Sequence, residues 1–293
     1  MSDRFASGYV TIVGRPNVGK STFLNQVLDT KLSITTSKPQ TTRDRILGIF
    51  NAPEAQVIFL DTPGIHSSDK ALNRYMLDKA VSTIHDADLA LVMTDPFETS
   101  DQLGEVLDYV KQAGRAALLV LNKVDLVGPE AAKRKLEDLE KLHDFVHSCA
   151  VSSTKGDGIE ALLDEIKARL PEGPRYFPED MITDAPLRFL CKELIREKVF
   201  TLTHKEIPYA VAVEIEEFRE TEPAYIGAVI HVERASQKII VIGSRGSKLK
   251  EIGTASRHEI ERLLGCKVYL ELFVRVTKDW SKSPKSLKDL GYR

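Results

Sequence analysis

The sequence predicts two domains of different class: an α/β domain on a mostly parallel, doubly wound sheet, then a smaller α+β domain. Three observations carry this. From Tyr9 to about Leu170, short apolar runs alternate with helix-period stretches, as buried parallel strands covered on both faces require. Residues 171–178 (Pro-Glu-Gly-Pro-Arg-Tyr-Phe-Pro) then place three prolines and a glycine where no regular element survives. Beyond them the strands and helices follow one another in a different order. The expected division is therefore 1–170, a linker at 171–180, and 181–293. With 293 residues, 42% of them hydrophobic, the chain can bury a core in each part.

In the first part the expected strands are Tyr9–Val13, Val57–Leu60, Leu89–Thr94 and Ala116–Leu121. Helical periodicity marks Thr22–Leu28, Asn73–Ile84 and Asp101–Ala113. In the second part Asp184 is the expected N-cap, with Pro186 just inside a helix that runs to about Leu202. Tyr209–Ile215 and Ile226–Val232 read as strands, Lys248–Leu264 as a helix and Val268–Val276 as the last strand. Ser236–Ile242 is apolar and fits a strand or a short helix equally. No internal repeat is visible.

Charge is unevenly spread beneath a net −2. Residues 1–180 carry 21 basic against 27 acidic side chains, and Met181 onward 20 against 16. Arg234–Arg293 alone has 14 against 6, a basic segment that suits a polyanionic partner. The longest apolar run, Ala116–Leu121, falls far short of the ~20 residues of a membrane span. Asp3 and Arg4 lead straight into a strand, with no signal-peptide core. Cys149, Cys191 and Cys266 are far apart and form no CxxC pair, so they read as core residues in a reducing compartment. A cytoplasmic protein is expected.

Three motifs carry chemistry. Gly14-Arg15-Pro16-Asn17-Val18-Gly19-Lys20-Ser21 fits GxxxxGK[ST] between a strand and a helix. There backbone N–H groups and the helix N-terminus cradle phosphates, Lys20 reaches the β- and γ-phosphates, and Ser21 holds Mg²⁺. Asp61-Thr62-Pro63-Gly64 closes the next strand, where a carboxylate serves Mg²⁺ through water and a glycine N–H meets the γ-phosphate. Asn122-Lys123-Val124-Asp125 follows the strand Ala116–Leu121, and Asp125 can accept from guanine N1–H and the exocyclic amine. Adenine offers no such donor pair, so a site built on this carboxylate selects GTP and GDP. All these loops fall at carboxyl ends of strands, where doubly wound sheets bind ligands.

With these motifs the first part resembles the translation-factor class of GTPases. The resemblance assigns Val151-Ser152-Ser153 to a further guanine contact, with Ser153 where alanine is usual and its backbone N–H meeting guanine O6. It assigns Gln40-Thr41-Thr42-Arg43-Asp44 to the first switch, with Thr42 as the Mg²⁺ and γ-phosphate threonine and Thr41 its competitor. Ile65 stands where Ras-like enzymes place a water-orienting glutamine, so unaided hydrolysis is expected to be slow. In related GTPases the residue at Asn17 helps hold K⁺ in place of an arginine finger; here Asn17 serves equally as a turn residue. The catalytic set expected is Lys20, Thr42, Gly64 and Asn17.

The stretch from Ile239 to Gly253 (IIVIGSRGSKLKEIG) resembles a KH domain, whose GxxG loop clamps single-stranded RNA. Ile242, Gly243, Ser244, Arg245, Gly246, Lys248 and Lys250 are the residues this implies. The tail, with Lys278, Trp280, Lys282, Lys285 and Lys288, either touches RNA or packs Trp280 into the core.

The order of parts resembles the Era family of bacterial GTPases over nearly the whole chain. That resemblance implies a monomeric assembly factor whose KH part binds the 3′ end of 16S rRNA in the small ribosomal subunit. It also implies loose contact with the inner membrane face. GTP·Mg²⁺ would order residues 33–42 and 64–69 and reposition the KH half. Two other readings stay open: a constitutive RNA-binding module with a structural nucleotide site, and a GTPase regulating a protein or membrane process.

Overall fold

A computed structural model describes residues 5–36, 38–65 and 70–292. The chain forms two compact units, one of residues up to 65 with 76–184, the other of 70–75 with 185–292. The first unit contains β1 (Ala6–Val13), α1 (Lys20–Val27), β2 (Ile46–Asn51), β3 (Ala55–Asp61), most of α2 (Ala71–Asp86), β4 (Leu89–Thr94), α3 (Ser100–Ala113), β5 (Ala116–Leu121), α4 (Pro129–Glu140), β6 (His147–Ala150) and α5 (Ile159–Arg169). Its sheet has the order β2-β3-β1-β4-β5-β6. Only the β2–β3 pair is antiparallel.

From β1 the sheet grows to β3 on one side and β4 on the other, so a crevice opens at the carboxyl end of β1. Val10, Ile12 and Val13 of β1 and all of β4 are buried, which is why these strands read as unbroken apolar runs. Helix α3 shows what local chemistry adds. Gln102 N–H donates to Thr99 Oγ1 (3.3 Å), Thr99 N–H to Gln102 Oε1 (2.9 Å), and Gly114 at φ 63° ends the helix. Ala80, Ile84, Leu103, Val106, Leu107 and Val110 pack on Ala90, Val92, Leu119 and Leu121 to form the core on that face.

Two strands escape the sequence pattern. β2 is an edge strand reached by a tight turn in which Ala52 N–H bonds Ala55 O (2.8 Å), and β6 has four residues and no apolar run. The proline-rich segment has no regular element, as expected, but it is not a loose tether. Buried Gln56 donates to Phe177 O (2.8 Å) and accepts from the N–H groups of Tyr176 and Phe177 (2.8 and 3.0 Å). Ser7 Oγ donates to Pro174 O (2.7 Å), and Ile49 N–H to Ile182 O (2.8 Å). Prolines lack a donor yet keep their carbonyls, and the first unit uses those, so residues 181–184 lie with it rather than with the second.

The second unit holds α6 (Leu187–Leu202), β7 (Ala212–Arg219), β8 (Ala224–Val232), α7 (Ala235–Ile242), α8 (Ser247–Leu264), β9 (Val268–Val276) and α9 (Pro284–Asp289). β8 is central, antiparallel to β7 and parallel to β9. Cys191, Ile195, Ile226, Ala228, Ile230, Ile252 and Ile260 form its core. Pro186, not Asp184, is the N-cap residue of α6. Residues 208–210 form a 3-10 turn, and β7 runs on past Ile215 through a register shift at Glu216, after which Glu217, Phe218 and Arg219 pair with β8. Segment 235–242 is a helix: Gln237 Oε1 accepts from the N–H groups of Glu233 and Arg234 (2.9 and 3.0 Å), satisfying its start. Trp280 is packed into the core, its Nε1–H donating to Ala210 O (3.0 Å) and its ring stacked on Tyr292, while the tail lysines stay exposed. Burial pushes the thiols of Cys149 and Cys191 up to about 12, as inert packing residues would show. Among the described residues no helix is long and apolar enough to cross a membrane.

Candidate nucleotide site and nucleic-acid face

The phosphate-side motifs of the first unit meet at the end of β1, and Lys123 reaches the same cleft. The loop 14–19 leads into α1, and a cleft of about 400 Å³ is lined by Asn17, Gly19, Lys20, Ser21, Thr42, Gly64 and Lys123, together with Ile34, Thr35, Thr36 and Gln40. Two glycines are required by close approach. A Cβ on Gly19, where φ is 105°, would lie 2.1 Å from Asn122 Nδ2. One on Gly64 would lie 2.5 Å from the Pro16 nitrogen. The Asp-Thr-Pro-Gly turn thus rests directly on the 14–19 loop, where Ile65 N–H also bonds Gly14 O (3.0 Å).

Lys20 is buried, and its Nζ donates to Gly14 O (3.0 Å) and Arg15 O (2.9 Å). Burial lowers its pKa to about 8, against the opposing pull of Asp61 and Glu98. Ser21 Oγ donates to Asp61 Oδ2 (2.7 Å) and lies 2.8 Å from Thr42 Oγ1. Thr41 instead turns into its own loop, bonding Thr36 Oγ1 and Lys38 O, both at 2.7 Å. Burial raises the pKa of Asp61, with Ser21 and Lys20 opposing. Two hydroxyls and a buried carboxylate in contact are a hard-oxygen donor set that fits Mg²⁺ and suits no softer ion. Thr62 is tied away from this group, its Oγ1 donating to Ile12 O (2.7 Å).

The guanine-side motifs also meet. Asn122 Nδ2 donates to Val18 O (2.9 Å), and Asn122 Oδ1 accepts from Ser153 N–H (3.0 Å) and Ser153 Oγ (2.9 Å). The Ser153 N–H expected at guanine O6 is therefore engaged with Asn122. Ser152 Oγ donates to Asp125 Oδ1 (2.7 Å); Asp125 is half-buried rather than enclosed. Lys123 Nζ spans from Asn17 O to Asp95 Oδ2 (2.9 Å). Asn17, at φ 69°, presents an exposed side chain. Pro63 and Val18 are buried, and Val124 packs on the apolar core. Ile65 is 2% exposed among Val13, Ala80 and Ile84, so its side chain faces the core and not a phosphate. Residues 66–69, part of the second expected switch, lie outside the described residues, as does Ser37 of the first.

In the second unit the loop between α7 and α8 carries the other expected site. Gly243 has φ 74°, and a Cβ there would lie 2.6 Å from Lys248 Cβ. Ser244 and Arg245 are exposed, Arg245 at φ 49°, and Gly246 is the N-cap of α8. Ile242 is partly taken by the core, and Lys248 pairs with Glu251 (2.6 Å), which leaves Arg245 and Lys250 as the outward cations. Next to this loop a groove of about 570 Å³ runs between α8 and β9, lined by Gly246, Leu249, Lys250, Gly253, Thr254, Arg257, Tyr269, Leu270 and Leu272. The residues past Lys250 were not identified from sequence. Their signal is the helix-spaced set Leu249, Gly253 and Arg257, which becomes a wall only once β9 lies alongside.

Both parts of the chain are similar to known proteins. The family model for 50S ribosome-binding GTPases matches residues 9–123, and that for the KH domain matches 206–281. The GTPase Era of Geotalea uraniireducens is 49% identical over 99% of this chain and 98% of its own. That of Staphylococcus haemolyticus is 44% identical over 98% and 97%. Two solved structures superpose with a TM-score of 0.95, covering 98% of this chain and 99% of theirs. One is an Aquifex aeolicus Era variant bound to GDP·AlF4⁻ (40% identical), the other an Era in complex with MgGDPNP and nucleotides 1506–1542 of 16S ribosomal RNA (41% identical).

Proposed function

Because this chain belongs to the Era family of GTPases, we propose that it binds GTP·Mg²⁺ in the cleft at β1 and uses hydrolysis to control single-stranded RNA binding on its KH domain. The RNA is the 3′ region of 16S rRNA, and the role is assembly of the small ribosomal subunit. The observation that carries this reading is the meeting of Lys20, Ser21, Thr42 and Gly64 around one cleft, with Asp61 bonded to Ser21 behind them, in a chain that also presents a GxxG groove. Functionally, 1–170 is the nucleotide domain, 171–180 the connection and 181–293 the RNA domain, although its first four residues pack with the nucleotide domain.

Loop 14–19 and the start of α1 hold the phosphates, with Lys20 exchanging its two carbonyl partners for the β- and γ-phosphate oxygens. Ser21, Thr42 and, through water, Asp61 would hold Mg²⁺, which would offset the charge that develops on the phosphate oxygens. Asp125 and Ser152 select guanine, and Ser153 meets O6 once its N–H leaves Asn122. Water attacks the γ-phosphate in line, with Thr42 and the backbone of Gly64 facing it and Ile65 standing where Ras-like enzymes place the water-orienting glutamine. Unaided hydrolysis is therefore slow, and the missing stabilisation would come from K⁺ held with Asn17 or from a bound partner. Phosphate release is then expected to be clearly faster in potassium than in sodium at equal ionic strength, and Asn17→Ala removes the difference. On the RNA side Gly243, Ser244, Arg245 and Gly246 clamp the backbone, Lys248 and Lys250 add charge, and Ile242 helps shape the wall. The protein acts as a cytoplasmic monomer, and any contact with the membrane face is peripheral.

The direct test is binding of a labelled pyrimidine-rich RNA from the 3′ end of 16S rRNA, with a non-hydrolysable GTP analogue against GDP. Binding confined to the analogue state and lost in Gly246→Asp is the expected result, since aspartate brings both charge and a side chain to φ 80°. Equal binding in both states would instead mean a constitutive RNA module.

A further inference from the structure

We propose that Glu98, which no sequence motif includes, is a positioning residue for the phosphate loop: its buried carboxylate holds the Arg15 side chain against α3 and so fixes the loop backbone. The inference rests on the nucleotide-site reading above. Glu98 lies in the short connection from β4 to α3, beside the carboxyl end of β1. One carboxylate oxygen accepts from Thr94 Oγ1 (2.6 Å). The other is buried, accepts no hydrogen bond among the described residues, and stands 3.8 Å from Arg15 Nε. Arg15 Nη1 completes the arrangement with Glu105 Oε2 on α3 (2.7 Å). Lys135 from α4 donates to the Glu98 carbonyl, which pins the connection itself.

A buried carboxylate is unfavourable unless a cation answers it, and a neutral threonine hydroxyl does not. Burial raises the Glu98 pKa, and Arg15 and Lys20 are the cations that oppose this. The pairing also turns the Arg15 guanidinium toward two carboxylates, outside the lining of the cleft. What Arg15 offers the site is then its backbone: its carbonyl receives Lys20 Nζ, and its peptide begins the turn that cradles the anion. Two acidic side chains beside an anion-binding loop would otherwise repel the ligand, which gives the test its sign.

Glu98→Gln keeps the shape and the Thr94 bond but removes the charge. If Glu98 mattered only as a nearby negative charge, its removal would tighten GDP binding. If it positions the loop, GDP and GTP affinities both fall about tenfold, the scale of one interaction with a charged group. The KM for GTP would rise in step with little change in kcat, and the melting temperature of the nucleotide-free protein would stay close to that of wild type. Arg15→Gln should produce a similar loss, and Arg15→Gln/Glu98→Gln one no larger than Arg15→Gln alone. Unchanged or tighter GDP binding in Glu98→Gln, additive losses in the double variant, or a large fall in melting temperature would each overturn the proposal. Failure of the wild type itself to bind GDP would sink the nucleotide-site reading instead.

Discussion

Asp125→Asn is expected to lower the affinity for GDP and GTP by on the order of 10³-fold and to turn the protein toward xanthine nucleotides. Guanine presents two adjacent donors, N1–H and the exocyclic amine, and a carboxylate is the one side chain that accepts both. The Ser152 hydroxyl already donates to Asp125 Oδ1 at 2.7 Å, which fixes the plane of the group. In the asparagine variant Ser152 keeps the amide oxygen, so the NH₂ is what meets the base. One guanine donor then faces a donor, and both lose their partner on a partly dehydrated surface. Xanthine carries a carbonyl in place of that amine, so the same NH₂ finds an acceptor. Competition between GDP and xanthosine diphosphate for a fluorescent nucleotide reads the inversion directly. Retained GDP preference in the variant would remove Asp125 from the base site.

The buried strands were legible because parallel strands covered on both faces must be apolar throughout: the run Leu89–Thr94 matches β4 residue for residue. Edge strands answer to a weaker constraint. β2 and β6 each pair with another strand on one side only, and the polar half of β6 (His147, Ser148) leaves no periodicity to detect. The glycine-rich loops were legible for a different reason, because Gly19 and Gly64 stand where a neighbouring group leaves no room for a Cβ, whatever the rest of the sequence. Glu98 and Asp95 show what local patterns miss. Their connection has no fixed spacing to the 14–19 loop, and only the β1–β4 pairing sets Glu98 against Arg15 and Asp95 against Lys123. The RNA groove was half legible: the GxxG turn is local, but its opposite wall comes from β9, some twenty residues on. The choice of Thr42 over Thr41 rests in the sequence on resemblance alone, and the coordinates add a physical reason, since Thr42 reaches Ser21 while Thr41 turns into its own loop.

Lys20→Met is expected to reduce kcat/KM for GTP by on the order of 10³, measured as phosphate release, because it removes the buried cation that stands at the 14–19 loop. The structure shows what the fold gives up to keep this residue. Lys20 is enclosed, satisfied only by two carbonyls of its own loop, and burial holds its pKa at about 8 against an ordinary 10.5. A depressed lysine pKa means that the unfolded chain binds more protons than the folded one between those two values. In nucleotide-free protein treated with EDTA, wild-type stability should therefore gain on that of Lys20→Met as pH rises from 8 toward 10. Below pH 8 the charged ammonium is a burden to the empty fold and becomes an asset only when phosphate oxygens replace the carbonyls. A lysine kept for packing its methylene stem would show neither effect: methionine would preserve the stem, hydrolysis would survive, and the two stability profiles would run parallel across this range.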